Sequence, residues 1–154
     1  VKTGRRQKRV AGDVVRIDLG DGFACYGRVT GDAGLAVYDL RSSEAVALSE
    51  IMSRPILFHI SVMDNAITSG HWAVVGHAPL EDALSNPPPR FIRDPIRKDT
   101  FRIYEDGKMR PATRDECVGL EAAAVWGARH VEERLRDHYA GVKNRSTEHL
   151  KLDE

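Results

Sequence analysis

The chain has 154 residues, of which 42% are hydrophobic, 30% charged and 6% aromatic, the proportions of one globular domain rather than of a disordered, fibrous or membrane chain. A chain of this length removes about two-thirds of its extended surface from water and needs neither a disulfide framework nor a structural metal to fold. Its 23 basic and 23 acidic residues cancel, which withdraws any global electrostatic argument for nucleic-acid binding.

Cys25 and Cys117 lie far apart without C-x-x-C spacing and read as reduced thiols of a cytoplasmic protein. No apolar run approaches the roughly 18 residues that a membrane span requires, and Val1-Lys-Thr-Gly-Arg-Arg6 lacks the apolar core of a signal peptide. The start on Val1 rather than Met is what a trimmed N-terminus would leave. Residues 1–11, with Lys2, Arg5, Arg6, Lys8 and Arg9 and no carboxylate before Asp13, read as a basic, disordered arm.

Val14, Ile17 and Leu19 lead into Gly20-Asp-Gly22, where glycine supplies the positive φ of a tight turn, and Phe23 to Val29 form the return strand. Gly31 to Gly34 is a second turn and Leu35 to Asp39 a third strand, giving a meander. Ser43 to Met52 carries a helical apolar face that Pro55 ends. Ile56 to Met63 and His71 to His77 are β-rich runs, and Asn86-Pro-Pro-Pro89 is a stiff connector, because proline lacks the amide donor. Phe91-Ile92 reads as a short edge strand, and Thr100–Tyr104 with Lys108–Arg110 as a hairpin about Asp106-Gly107.

Thr113-Arg-Asp-Glu116 has the spacing of a capping box. The spacing of Leu120, Ala124, Gly127 or Ala128, Val131, Leu135 and Tyr139 then predicts one long helix closed by Gly141. Residues 12–140 are thus expected to be a single α+β domain, a strongly bent antiparallel sheet or small barrel packed against one long C-terminal helix, with 141–154 a polar tail.

Charge is uneven along this plan. Residues 10–89 hold four arginines against ten carboxylates, a net of −6, whereas residues 90–110 carry a net of +3. The acidic half favours a cationic protein partner over a polyanion.

The chemistry-bearing residues point away from catalysis. His71 and His77 are six strand residues, roughly 20 Å, apart. His130 and His138, eight apart on one helix, are separated by roughly 12 Å. Neither pair can chelate one ion, so no metal or other cofactor is expected. No G-x-S-x-G elbow, phosphate loop or H-E-x-x-H occurs. Cys117 at a helix start and Glu121 beside an apolar stripe have structural readings as a packed thiol and a paired carboxylate, and no catalytic residue is assigned. Trp72 and Trp126 are the largest apolar anchors, each either core or interface.

Taken in order, Gly12-Asp-Val-Val-Arg-Ile-Asp-Leu-Gly-Asp-Gly22, Tyr26-Gly-Arg-Val29, Val37-Tyr-Asp39, Ile56-Leu-Phe58, Trp72-Ala-Val-Val-Gly76 with Pro79-Leu80, Pro89-Arg-Phe91 and Thr113 to Trp126 resemble the bacterial immunity protein 26 family over most of residues 12–138. The resemblance implies a non-enzymatic cytoplasmic antidote that binds and blocks a cognate polymorphic-toxin domain. It brings no contact residues with it. From charge and size, Asp18, Asp21, Asp39 and Trp72 are the candidates for the toxin interface, with a basic surface such as a nuclease active site as the partner.

A rival from another class is a small β-barrel endoribonuclease or nucleic-acid-binding module. Gly12-Asp-Val-Val15 and Arg54-Pro-Ile-Leu57 loosely resemble the opening strands of antitoxin-controlled endoribonucleases of the growth-inhibitor barrel class. The spacing between those segments is too long for that class, and the acidic first half opposes RNA.

Overall fold

The structure, a computed structural model, describes residues 5–152. Strands β1 (Asp13–Asp18), β2 (Ala24–Val29) and β3 (Gly34–Tyr38) form the expected meander. Two tight turns make it. Gly20 and Gly22 take φ of +78° and +89° in the first, while the second uses Asp32 and Ala33 at φ 55° and 61°, both left-handed without being glycine. Helix α1 (Leu48–Ser53) ends before Pro55, and β4 (Ile56–Val62) pairs with β3. After the short helix α2 (Asn65–Thr68), β5 (Ala73–His77) returns to the far side of β1.

Register shifts between Val14 and Val15 on β1 and between Val37 and Tyr38 on β3 are bulge-like irregularities of the kind that bend and coil a sheet. Helix α3 (Asp82–Ser85) and the proline run lead to β6 (Arg90–Arg93), then to the hairpin of β7 (Phe101–Glu105) and β8 (Lys108–Ala112). Asp106 and Gly107 turn that hairpin at φ 53° and 73°.

The largest departure from the sequence reading lies in residues 113–127. The capping box is present: Thr113 Oγ1 accepts from Glu116 N at 3.3 Å, and Glu116 Oε1 accepts from Thr113 N at 2.9 Å. The helix it starts, α4 (Arg114–Cys117), lasts one turn, because Val118 is extended and Gly119 is left-handed at φ +84°. The Ala-rich stretch that follows is extended. β9 (Glu121–Ala122) adds in parallel to β6, and β10 (Val125–Trp126) adds in parallel to β4. Helix propensity is a weak prior, and two sheet edges with unpaired amides outweigh it here. The long helix is therefore α5 (Ala128–Ala140), closed by Gly141 at φ 71° as expected. A further short helix, α6 (Arg145–Leu150), capped by the Asn144 side chain, occupies the segment expected to be a polar tail.

Among the described residues ten strands make two sheets, in the orders β10-β4-β3-β2-β1-β5 and β8-β7-β6-β9. Neither closes on itself, which removes the barrel alternative and leaves an α+β fold. The main core, with Val15, Ile17, Leu35, Phe58 and Trp72, lies on the face of the first sheet where Val131 and Leu135 of α5 pack. A second cluster, Val14, Tyr26, Tyr38, Leu40 and Ile51, brings α1 onto the sheet. Phe91, Phe101, Ile103 and Cys117 form a third, in the smaller sheet. Residues 121–126 tie the two sheets together, since one end pairs with β6 and the other with β4.

Candidate partner-binding surface

Buried charge comes first, because it fixes which charged groups remain for a partner. Arg28 alternates into the α1 face of β2 and is fully enclosed, at 0% exposure. Its Nε donates to Gly12 O (2.8 Å), Nη1 to Tyr38 Oη (3.2 Å) and Glu81 Oε1 (3.2 Å), and Nη2 to Ala78 O (2.6 Å) and Pro79 O (2.7 Å). One guanidinium thus fastens the 78–81 segment across the sheet. Arginine in an otherwise apolar strand was the only signal of this in the sequence.

Glu132, buried on α5, accepts from Trp72 Nε1 at 2.9 Å and meets His71 Nε2 at 2.7 Å. His59 Nε2 lies 2.9 Å from Thr30 Oγ1, and burial, with Arg90 nearby, pushes its pKa down to about 4, so the ring is neutral near pH 7. Arg90 bonds Ser61 Oγ, and burial lowers its own pKa against the support of Glu121. His77 Nδ1 is 2.7 Å from Asp13 Oδ1. Three of the histidines are therefore engaged by side chains of the fold.

The interface candidates separate on this frame. Asp18 and Asp21 are exposed at the β1–β2 turn, where Asp18 Oδ1 accepts from Gly20 N (2.9 Å) and Asp21 Oδ1 from Phe23 N (3.0 Å). Asp39 is half-buried and accepts from Tyr139 Oη at 2.7 Å, joining the end of β3 to α5. Burial and that carboxylate raise the Tyr139 pKa.

Asp21 and Asp39 come together around Cys25, whose thiol is pushed up to about 12 by burial first and by both carboxylates, against the opposing charge of Arg41. Arg41 itself stacks on Phe23, 3.5 Å from the ring centroid. Arg136 Nη1 donates to Leu19 O at 2.7 Å beside the same turn. The acidic corner is thus interleaved with two arginines, which a count along the sequence does not reveal.

Trp72 does not belong to this surface: it is wholly enclosed in the main core, at 0% exposure, with its indole N–H on Glu132. Trp126 is also buried, in β10, where the Arg134 guanidinium stacks 4.9 Å from its ring centroid and 3.8 Å from that of Phe58. Arg134 Nη2 bonds Glu121 Oε1 at 2.6 Å, so Glu121 is a paired structural carboxylate. Cys117 packs in the smaller sheet's core, and burial raises its pKa.

Residues 1–4 of the basic arm, Lys2 among them, lie outside the described residues. Of the rest, the Gln7 side chain donates to Ile67 O (2.9 Å) and accepts from Val74 N (3.2 Å), while Arg9 bonds Val62 O (3.1 Å), Gly34 O (3.2 Å) and Asp64 Oδ1 (2.9 Å). No helix among the described residues is long and apolar enough to cross a membrane.

These features define a small two-sheet α+β domain in which the charged side chains Arg28, Arg90 and Glu132 are enclosed and hydrogen-bonded within the fold. The sequence model of the Immunity protein 26 family matches residues 10–102, 93 of the 154, and the chain belongs to that family. The matched span holds β1 to β6 and the start of β7; the 121–126 bridge and α5 lie beyond it. No curated protein and no solved structure matches the chain.

Proposed function

We propose that this protein is a non-enzymatic immunity protein of a polymorphic-toxin system, which binds a cognate toxin domain in the cytoplasm and blocks it by steric and electrostatic occlusion. The observation that carries the reading is the family match over residues 10–102, which takes in five of the six strands of the main sheet together with the β1–β2 turn that bears Asp18 and Asp21.

Asp18 and Asp21 are the acidic contacts offered to a basic toxin surface, such as the substrate channel of a nuclease. Asp39, half-buried and bonded to Tyr139 Oη, is the third acidic candidate. Charge complementarity of this kind raises association rate and specificity.

Co-expression with the toxin domain encoded by the neighbouring reading frame is the test, scored as survival and then as the dissociation constant of the purified pair. Rescue with one-to-one binding is expected. Asp18→Lys with Asp21→Lys then raises Kd about ten-fold at low salt, mainly through the on-rate. A toxic neighbour that is neither bound nor neutralised refutes the reading.

A further inference from the structure

The seven residues between β6 and β7, Asp94-Pro-Ile-Arg-Lys-Asp-Thr100, hold the most exposed large apolar side chain described in the protein. Ile96 is 89% exposed. A single surface isoleucine is ordinary when it sits on a loose polar loop, but this loop is not loose.

Asp94 Oδ1 accepts from both Ile96 N and Arg97 N, each at 2.8 Å. Asp94 N donates to Thr100 O at 3.0 Å, Thr100 N to Arg97 O at 2.8 Å, and Arg93 Nε to Lys98 O at 2.9 Å. The two amides hold the Asp94 carboxyl below the usual carboxylate range, and Pro95 fixes one φ. Five hydrogen bonds thus brace seven residues in a shape that keeps the isoleucine in water. A polar tip would satisfy the same turn without exposing four apolar carbons.

The setting is cationic. Arg93, Arg97, Lys98 and Arg102 flank Ile96 against Asp94, already occupied by backbone amides, and Asp99. Residues 90–110, net +3, thus oppose residues 10–89, net −6, in sign. Isoleucine has neither a π-face to stack on a base nor a polar group to read one, so a protein pocket suits it better than nucleic acid.

We propose that the β6–β7 tip is a preformed docking finger, which seats Ile96 in an apolar pocket within an acidic patch of the partner protein, with Arg97 and Lys98 meeting the carboxylates around it. The proposal rests on the immunity reading for the identity of that partner, the toxin domain, and adds a second contact opposite in sign to the Asp18–Asp21 turn. Because the loop is ordered before binding, little freedom is lost on docking. Contacts of both signs fix a single register and reject partners that match only one.

The experiment measures the Kd of the full chain for the toxin domain by calorimetry, with Ile96→Ala, Ile96→Asp, the pair Arg97→Glu with Lys98→Glu, and Val142→Asp as a control at an apolar residue 56% exposed elsewhere. Thermal melts check that each variant folds. Expected are a Kd raised about ten-fold by Ile96→Ala and about a hundred-fold by Ile96→Asp, a loss on charge reversal that shrinks with salt, and no change for Val142→Asp.

Wild-type binding with Ile96→Asp within two-fold of wild type overturns the finger and leaves the immunity reading standing. Failure of the wild type to bind or neutralise a toxic neighbour overturns the immunity reading, and the finger as a toxin contact falls with it. Binding of single-stranded RNA in gel shift that is lost on reversing Arg97 and Lys98 but is indifferent to Ile96 overturns the finger in favour of a nucleic-acid contact.

Discussion

Replacing Arg28 by methionine tests whether one buried guanidinium holds the main sheet to the 78–81 segment. Methionine keeps most of the volume and the apolar stem but removes every donor. Gly12 O still accepts from Ala78 N at 3.1 Å, so the groups left short are Ala78 O, Pro79 O and Tyr38 Oη, while Glu81, 56% exposed, returns to water. Ala78 and Pro79 are only partly covered, Pro79 lying on the surface, so water takes up part of what the guanidinium gave them; at about 1–2 kcal/mol for each carbonyl, less the desolvation that the guanidinium no longer suffers, the net loss is about 1–3 kcal/mol. For a domain of this size that lowers Tm by about 2–12 °C.

Urea unfolding followed by tryptophan fluorescence reads it directly, because Trp72 and Trp126 are both buried. The midpoint should fall with the slope unchanged. Arg28→Lys should recover only part, since an ammonium has three donors on one atom and cannot span the same carbonyls. The exposed pair Arg54–Glu50 supplies the comparison: Arg54→Met should cost under about 0.5 kcal/mol. A loss for Arg28→Met no larger than that for Arg54→Met would refute the reasoning, since the enclosed guanidinium would then contribute no more than an exposed one.

His59 is neutral in the fold down to a pKa of about 4, whereas the unfolded chain takes up its proton near 6.5. Unfolding therefore binds a proton between those values, so stability is full above pH 6.5 and is lost as pH falls toward 4, by about 3 kcal/mol at most; His59→Gln should flatten that part of the urea-midpoint profile. Ala33 is held left-handed at φ 61° in the β2–β3 turn, so Ala33→Gly should raise stability by about 0.5 kcal/mol, and a fall in the melting temperature would contradict the turn assignment. Cys25 and Cys117 are both buried with raised pKa values; neither should react with a thiol reagent at pH 8 until denaturant is added.

The sequence disclosed the elements that local chemistry decides. Glycine turns marked the meander, Asp106-Gly107 the second hairpin, Pro55 the end of α1 and Gly141 the end of α5, and Thr113–Glu116 marked a true capping box. What it concealed was decided by partners distant in the chain. Residues 121–126 are helix-forming by composition, yet they pair with β6 and β4, neither of which is nearby in sequence. Trp72 is equally suited to core or interface until Glu132, sixty residues on, is seen to accept its N–H. The acidic corner was legible as composition, but Arg136 reaches it from α5, more than a hundred residues away. Ile96 carried no sequence signal, because only the hydrogen bonding of its loop separates a displayed side chain from a stray one.

Residues 10–89, net −6, build β1 to β5 and their turns, and residues 90–110, net +3, build β6, β7 and most of β8. The molecule has no net charge, so long-range attraction by its total charge cannot drive association, and electrostatic effects act within a Debye length of about 8–10 Å. This separates two explanations that single variants confuse. Asp18→Asn with Asp21→Asn shifts the net charge by two positive units, and Arg97→Gln with Lys98→Gln shifts it by two negative units. If net charge governed association, the four substitutions together would restore the wild-type on-rate. If the two turns make separate local contacts, the losses multiply instead, as for distant and independent sites. Stopped-flow association of the four-fold variant with the toxin domain at low salt decides between them: an on-rate below that of either pair supports two local contacts of opposite sign, and an on-rate back at the wild-type value refutes them.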